Sequence, residues 1–451
     1  MTANDKKDTV AGIIETNEGN VCFYAEKFKF IFMNADTSRE AVVVEADKNG
    51  YIWGKTYGGK RIAIYVKHNI TIRGAVALNT WNYIISRFTG VTKESIISFQ
   101  GIRFQNGMIR TLHPCNALHE DFEQSKNGKL TYCVSNDSRD FLINVGNETV
   151  SWIFGSEINQ KQSIEEGNSL SNGNALLDIR FDKRQDYKTF YDWYGYVCDF
   201  CSFLTFRNTI FFEDIFLLRE VPHNEINVYE VCAVCYVKND AEASLRNFAN
   251  IIPISYINDT MFNEIIKNIF KQDKDHKGLP ISITPKDDRD ALIMDTNKIR
   301  NICSALEREL DLDGTQAEPN NNMKALIEMV KKDVKQHRDG NSPFSSKTYD
   351  YIFGNISHWN QPLAERIYNA WEQHKEDMKP LLKLYGIEID QEKIEAFVKA
   401  RNMITHDGFT GIDEEVANTA FVLTGLVYCC ALIRIQMPME LIKDIMGRRF
   451  F

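Results

Sequence analysis

Three side chains whose chemistry suits a phosphate diester lie close together near the end of the chain: Arg401, Asn402 and His406. The run from Gln391 to Thr405 predicts a helix, and the pair Asp407-Gly408 after it is typical of a helix end. On such a helix Asn402 and His406 are four positions apart and share one face, and the long side chain of Arg401 reaches the same area. The spacing therefore predicts a phosphate-binding site at the C-terminal end of this helix.

These residue types suit cleavage of RNA in which the 2′-hydroxyl attacks the neighbouring phosphate without a metal ion. An unperturbed histidine has a pKa near neutral pH, so this residue type suits the transfer of a proton, which is the role expected of His406. The guanidinium of Arg401 offers a planar fork of donors to phosphate oxygens. Asn402 can orient either group. Spacing alone leaves a structural alternative open, because cationic side chains are common at the C-terminal ends of helices in any protein.

The elements around this motif are also helical in pattern. The apolar run from Thr419 to Ile433 is shorter than a bilayer requires and predicts a buried helix of a bundle. Glu307, on a predicted helix from Asn301 to Leu312, is a candidate supporting acid for the site. Its alternative role is that of an ordinary solvated helix residue.

The motif Arg401-Asn402-x3-His406, on the penultimate helix that the pattern predicts, resembles the R-N-x3-H signature of the HEPN superfamily, specifically of its ApeA-like branch. The likeness covers about Asp290 to Phe451 and includes stretches similar to the family's first helix, its middle and its closing helix: Asn301 to Leu312, Trp359 to Trp371, and Ala417 to Ile435. The opening segment, which contains Gly54-Lys55-Thr56 and Ile62-Ala63-Ile64, also resembles the N-terminal β domain of ApeA-like proteins.

The resemblance implies a metal-independent endoribonuclease of bacterial anti-phage, abortive-infection defence. It implies a homodimer in which each protomer brings Arg401, Asn402 and His406 to a shared site, with tRNA near the anticodon as the expected substrate. His406 would act as general acid or base, Arg401 would stabilise charge on the phosphate, and Asn402 would hold the geometry. The expected products end in 2′,3′-cyclic phosphate, and catalysis needs no cofactor. The alternative is a non-catalytic HEPN binding or regulatory module of a defence or toxin-antitoxin system.

Charge limits how this protein can bind nucleic acid. The formal net charge is -9, and from Pro285 onward 27 Asp and Glu residues outnumber 22 Lys and Arg residues. Such a chain repels an RNA backbone in general and binds it only through local basic patches, which favours a structured RNA such as tRNA. One candidate RNA-binding patch is a basic stripe on the helix predicted from Met323 to His337: Lys331, Lys332, Lys335 and Arg338. The alternative for this basic stripe is a solvated helix face.

Two pairs of cysteines have the spacing of zinc ligands: Cys198 with Cys201, and Cys232 with Cys235. Four thiolates at this spacing predict a structural zinc site, since they leave no open position for a reactive water. Cys232 and Cys235 lie in a strand-like run, where positions i and i+3 point to opposite faces. A zinc site therefore needs a local break in that strand, and buried packing thiols are the alternative.

The sequence predicts a multidomain α+β protein, with a β-rich, sandwich-like N-terminal region followed by an all-α HEPN helical bundle. The predicted divisions are a β-rich domain over 1–154, a mixed α/β extension with the cysteine pairs over 155–270, a linker over 271–289 and the helical domain over 290–451. The polar stretch from Glu166 to Ala175 predicts a surface loop. The opening residues lack the apolar stretch of a signal peptide, which predicts a cytoplasmic protein without a membrane partner. The N-terminal region is the expected sensor of a phage-derived trigger.

Overall fold

The structure, a computed structural model, supports the expected order of a β-rich region followed by a helical region. It describes residues 9–35, 40–90, 98–115, 118–120, 132–134, 137–163, 167–223, 226–239, 250–275, 278–312, 321–340, 344–357, 362–406 and 411–448. Two compact units divide the chain, Met1–Asn263 and Glu264–Phe451. The predicted order of a β-rich region followed by a helical region is thereby confirmed.

The first unit contains all the strands that the structure describes. In chain order they are β1 (Thr9–Thr16), β2 (Gly19–Glu26), β3 (Lys29–Asn34), β4 (Val42–Val44), β5 (Tyr51–Thr56), β6 (Lys60–Tyr65), β7 (Ile70–Ile72), β8 (Ala75–Asn79), β9 (Asn82–Thr89), β10 (Ser98–Gln105), β11 (Leu118–Glu120), β12 (Tyr132–Val134), β13 (Arg139–Val145), β14 (Glu148–Ser163), β15 (Gly167–Asp186), β16 (Asp214–His223) and β17 (Ile226–Val237). The helices of this unit are α1 (Met108–Leu112), α2 (Phe190–Thr205) and the start of α3 (Asp259–Asp275).

Thirteen of these strands form one antiparallel sheet in the order β13-β14-β15-β10-β16-β17-β9-β6-β5-β1-β2-β3-β8. The strands β4 and β7 form a separate pair, as do β11 and β12. The half that contains β1 to β9 curls on itself, since the ring of Phe30 in β3 contacts that of Tyr83 in β9 at 5.4 Å, although four strands separate β3 from β9 in the sheet. The interior of this half is a cluster of buried aliphatic and aromatic side chains that includes Val42 of β4 and Ile72 of β7.

The predicted boundary after residue 154 lies inside a strand. β14 continues through that position and pairs with both β13 and β15, so residues 1–154 and 155–270 share one sheet. Trp152 and Phe154 alternate along β14 and both contact Phe200 of α2, which joins the two predicted domains in one core.

The predicted loop from Glu166 to Ala175 is also corrected, because Gly167 to Ala175 belong to β15 and pair with β14 through the backbone. Pairing through the backbone does not depend on the polar side chains that suggested a loop.

The second unit is helical. Its elements after α3 are α4 (Asp288–Ala291), α5 (Thr296–Leu312), α6 (Asn321–Asp339), α7 (Ser346–Ser357), α8 (Leu363–Tyr385), α9 (Gln391–His406), α10 (Glu414–Arg434) and α11 (Met439–Gly447). α10 is buried along most of its length and packs against α5, α8, α9 and α11. It is long and apolar enough to cross a membrane, but 78% of its most apolar segment is buried, as expected for a central helix of a bundle.

The residues predicted as a linker, 271–289, belong instead to the helical unit where the structure describes them. α3 continues through Asp275, Leu279 is fully buried, and a short 3₁₀ turn over Ile281–Ile283 packs against α5. The polar composition of this stretch suggested a connector. Gly278, Leu279 and Pro280 are nevertheless buried.

A buried ion pair joins three helices of this unit. Arg434 at the end of α10 donates to both carboxylate oxygens of Glu309 in α5, at 2.9 and 3.1 Å. The same guanidinium donates to Oδ1 of Asn268 in α3 and to the backbone oxygen of Gly278. The side chain of Glu309 is only 2% exposed, so this contact fixes the relative positions of α3, α5 and α10.

Candidate functional site

The helix α9 holds the predicted motif at the surface of the helical unit. Asp390 accepts a hydrogen bond from the backbone N–H of Lys393 and caps the helix start. Ile394, Phe397 and Ile404 are buried, and this face packs toward α5, α8 and α10. The helix was expected over Gln391 to Thr405 and is observed over Gln391–His406. It is followed by both α10 and α11, so it is not the penultimate helix of the chain as expected.

Arg401 and Asn402 are brought together, and Glu307 joins them from a neighbouring helix. Nη1 of Arg401 donates to Oδ1 of Asn402 at 3.1 Å, and Nη2 donates to Oε1 of Glu307 in α5 at 3.3 Å. The side chain of Arg401 is 25% exposed and that of Glu307 is 39% exposed. The carboxylate holds the guanidinium toward α5 while leaving part of it open to solvent.

His406 is the last residue of α9 and is exposed. In the part of the chain that the structure describes, its side chain forms no hydrogen bond or ion pair with Arg401, Asn402 or Glu307. Asn402 and His406 share one helix face at a separation of about 6 Å along the axis, as four residues of an α-helix require. Asp407 and Gly408 lie outside the described residues.

One face of α5 supports this site through residues that the sequence did not single out. Arg300, Cys303 and Glu307 lie at helical spacing on α5, and Arg300 donates to the backbone oxygen of Ile404 in α9. Burial raises the pKa of the Cys303 thiol to about 12, and this rise is opposed by the positive charge of Arg401. The sequence signal for this face was that Cys303 and Glu307 follow Arg300 by three and seven positions. Similar spacings occur on any amphipathic helix.

The predicted basic stripe lies on α6. Lys332, Lys335 and Arg338 are exposed and Lys331 is partly buried. Arg338 is engaged locally, since its guanidinium lies over the ring of Phe353 and pairs with Asp339 at 3.1 Å. α6 packs mainly against α7, whereas α9 packs against α5, α8 and α10. The helix that carries the basic stripe therefore packs against other helices than the helix that carries Arg401. The role of the stripe in RNA binding stays a prediction.

The two cysteine pairs lie on different elements of the first unit. Cys198 and Cys201 are in α2, and Cys232 and Cys235 are in β17. Among the described residues no three His, Cys, Asp or Glu side chains are grouped closely enough to hold a metal ion, so the four thiols do not converge. The strand does contain the expected irregularity, because the register shift opposite Leu217 and Leu218 leaves Cys232 as the extra residue of a β-bulge.

The environment of these thiols agrees with the packing alternative. Burial raises the pKa of the Cys198 thiol to about 12 and raises the pKa values of Cys201 and Cys235 well above the usual value. Cys232 donates to the backbone oxygen of Leu217 at 3.4 Å. A zinc ligand must be a thiolate, and these surroundings favour the neutral thiol in the absence of a cation.

Metal analysis of purified protein tests this assignment. We expect less than one equivalent of zinc, and a Cys232→Ser variant with unchanged metal content and thermal stability. The matched control is Cys22→Ser, which changes a partly exposed cysteine of β2 in the same way. Stoichiometric zinc that is lost in Cys232→Ser and kept in Cys22→Ser would establish the four-thiolate site instead.

Comparison with protein-family models, with curated proteins and with solved structures found no match for this chain. The family resemblance therefore stays a prediction that depends on the motif and on the arrangement of its residues. The arrangement consists of a partly exposed cluster of Arg401, Asn402 and Glu307 with His406 one helical turn beyond Asn402. Such a cluster can bind a phosphate group and supply a proton donor or acceptor next to it.

Proposed function

We propose that this protein is a metal-independent endoribonuclease of bacterial anti-phage defence that acts in the cytoplasm and cuts tRNA in the anticodon region. The observation that carries the proposal is the contact between Arg401 and Asn402 at the surface of α9, with the imidazole of His406 on the same helix face. A guanidinium, an amide and an imidazole are sufficient to position a phosphate diester and to move a proton.

In this mechanism the 2′-hydroxyl of the substrate attacks the adjacent phosphorus and displaces the 5′-oxygen. His406 transfers a proton to the leaving oxygen or takes one from the attacking hydroxyl. Arg401 binds the nonbridging oxygens, where negative charge increases in the transition state. Asn402 accepts a hydrogen bond from Arg401 at 3.1 Å and keeps the guanidinium directed along α9.

A second copy of the chain completes the proposed site. The reaction needs one group that takes a proton and one that gives a proton, and each protomer supplies a single imidazole in the motif. His406 is exposed at the end of α9, so its ring is accessible to a partner protomer. A homodimer with two copies of Arg401, Asn402 and His406 would provide both proton-transfer groups.

Charge supports a folded RNA as the substrate. The helical region is net acidic, and extended single strands would meet mostly repulsion. A tRNA presents one exposed loop on a rigid body, so that a few local contacts are enough to orient it. The β-rich unit is the proposed sensor of a phage-derived trigger. In this proposal the β-rich unit restrains the nuclease until infection.

Sequencing of RNA ends from cells that express the protein tests this function. The expected result is a set of tRNA fragments cut in the anticodon loop, with 2′,3′-cyclic phosphate on the upstream fragment and a 5′-hydroxyl on the downstream fragment. The purified protein is expected to produce the same ends in the presence of a chelator. Ends with only 3′-hydroxyl groups, or cleavage that stops when magnesium is removed, would contradict the proposal.

A non-catalytic binding module is the second candidate, and the ion pair at the site favours it. Glu307 already neutralises part of the charge of Arg401, as expected for a structural contact between α5 and α9. Such a module would bind a partner protein or an RNA without cutting it. Absence of new RNA ends in the sequencing experiment, with retained binding of tRNA, would select this candidate.

Replacing Glu307 with Gln tests which of two roles its carboxylate has. It either competes with the substrate phosphate for Arg401 or takes part in catalysis. Loss of the carboxylate charge frees Arg401 for phosphate, so we expect KM for tRNA to fall roughly two- to fivefold, in keeping with a partly exposed ion pair worth up to about 1 kcal/mol. The matched control is Asp311→Asn on the same helix, which removes an exposed pair with Arg366. We expect this control to leave KM unchanged. A large loss of kcat in Glu307→Gln would show that the carboxylate takes part in the reaction.

A further inference from the structure

A cavity of about 290 Å³ opens in the first unit between β9, β17 and the N-terminal end of β16. Its wall is rich in aromatic rings, which come from Phe28, Tyr83, Tyr194, Phe212 and Tyr236. The rings of Tyr83 and Tyr236 are stacked with centroids 4.6 Å apart, and Phe28 contacts Tyr83 at 5.6 Å. These contacts hold the rings in fixed positions and leave a preformed space large enough for a small organic group.

The charged side chains that line the cavity are two carboxylates and one lysine. Asp214 lines it next to Glu213 at the start of β16, and its side chain is partly buried. In the described part of the chain Asp214 accepts no hydrogen bond through its side chain and forms no ion pair, although Lys27 lines the same cavity. Burial, and next the charge of Glu213, raise the pKa of Asp214. The negative charge is therefore held at a cost that a bound cation would remove.

This combination of rings and carboxylate selects among ligand classes. The two carboxylates outnumber the one lysine among the lining residues, so the cavity is net negative and disfavours nucleotides and other phosphate esters. A neutral aromatic ligand would stack on the rings but would leave Asp214 unpaired. An organic cation satisfies both features, because aromatic faces attract cations and the carboxylate supplies the opposite charge. A guanidinium fits best, since it is planar, weakly hydrated and stacks on aromatic rings.

We propose that this cavity is a binding site for an alkylguanidinium group, held by Asp214 and by the aromatic ring of Tyr236, which Tyr83 supports from behind. The group belongs either to a small metabolite or to an arginine side chain of another protein, and both present the same chemistry. The site is independent of the α9 motif, and the proposal stands whether or not the helical unit cuts RNA.

Calorimetric titration of the full-length protein with n-butylguanidinium and with n-butylurea tests the proposal. The two probes have the same shape, but only the first is charged. We expect n-butylguanidinium to bind with a Kd on the order of a millimolar, as a ligand of this size allows, and n-butylurea to bind at least about tenfold more weakly. Equal binding of the two probes, or no binding of either, would overturn the proposal.

Variants connect binding to the named residues. Asp214→Asn is expected to weaken n-butylguanidinium binding about tenfold, the effect of losing one charge-assisted contact. The matched control Asp140→Asn makes the same change at an exposed position of β13, outside the cavity, and is expected to leave Kd unchanged. Tyr236→Phe keeps an aromatic face and should retain binding, whereas Tyr236→Leu should weaken it. Unchanged affinity in Asp214→Asn, with a melting temperature equal to or above that of the wild type, would refute the assignment.

A third probe distinguishes the two sources of the group. The blocked peptide acetyl-Gly-Arg-Gly-amide carries the same guanidinium on a polypeptide backbone. Binding of this peptide with an affinity equal to or above that of n-butylguanidinium supports an arginine side chain as the ligand. Binding of n-butylguanidinium together with exclusion of the peptide supports a free metabolite. Failure of both compounds to bind overturns the proposal.

Discussion

Replacing His406 with Ala is expected to lower the rate of tRNA cleavage by about 10²- to 10⁴-fold, the usual contribution of a general acid or base. The imidazole is exposed at the end of α9, so its removal should not disturb the packing of the helix, which depends on Ile394, Phe397 and Ile404. Binding of tRNA should change little, because Arg401 and Asn402 stay in place. Single-turnover cleavage and a separate binding assay on the purified protein measure the two effects.

The matched control for this variant is His68→Ala, which removes an exposed imidazole from the β-rich unit. It is expected to leave cleavage unchanged. Adding an excess of the His406→Ala chain to the wild type should lower the cleavage rate more than adding the same amount of an inert protein. The reason is that mixed dimers would have one imidazole where the reaction needs two. Full activity of His406→Ala would contradict the proposed chemistry. Strictly proportional dilution in the mixture would contradict the shared site.

The candidate site could be predicted from the sequence only as far as one helix determines it. Arg401, Asn402 and His406 were placed on one helix by their spacing, and α9 begins at the predicted residue. The neighbours of α9 depend on how the helices pack. The contact of Arg300 with Ile404 was therefore not foreseen, and that of Glu307 with Arg401 only as one of two alternatives. Which helix lies beside another is decided by many side chains at once, and spacing within one helix does not contain that information.

The same limit explains the corrections in the β-rich unit. The alternation of short strands predicted the β-rich region, but nothing local showed that β14 continues past residue 154. Gly167 to Ala175 are polar, and polarity alone predicted a loop, whereas the backbone pairs with β14 whatever the side chains are. The cysteine spacing predicted a zinc site, which stays a prediction for metal analysis to test, because only the fold decides whether α2 and β17 bring their thiols together. The local sequence pattern therefore does not show which distant segments pair with one another.

Replacing Glu309 with Ala is expected to lower the free energy of unfolding of the helical unit by about 3–5 kcal/mol, the usual effect of breaking a buried ion pair. Glu309 is 2% exposed and receives two hydrogen bonds from Arg434. Without the carboxylate, the guanidinium of Arg434 stays buried with only neutral acceptors. Burial already lowers the pKa of the neighbouring Arg308, and loss of Glu309 leaves two cations together. Urea unfolding of the full-length protein, followed by helical circular dichroism, measures the shift.

The control Asp311→Ala removes a carboxylate two residues along the same helix, where it forms an exposed pair with Arg366. Its cost should not exceed about 1 kcal/mol, because water solvates the separated charges. A double variant, Glu309→Met with Arg434→Met, should recover part of the lost stability, since it removes the unpaired charge together with its partner. Equal costs for Glu309→Ala and Asp311→Ala would mean that the ion pair contributes no more than a surface contact. In that case apolar packing of α10 would be sufficient to hold α5 in the position that brings Glu307 to Arg401.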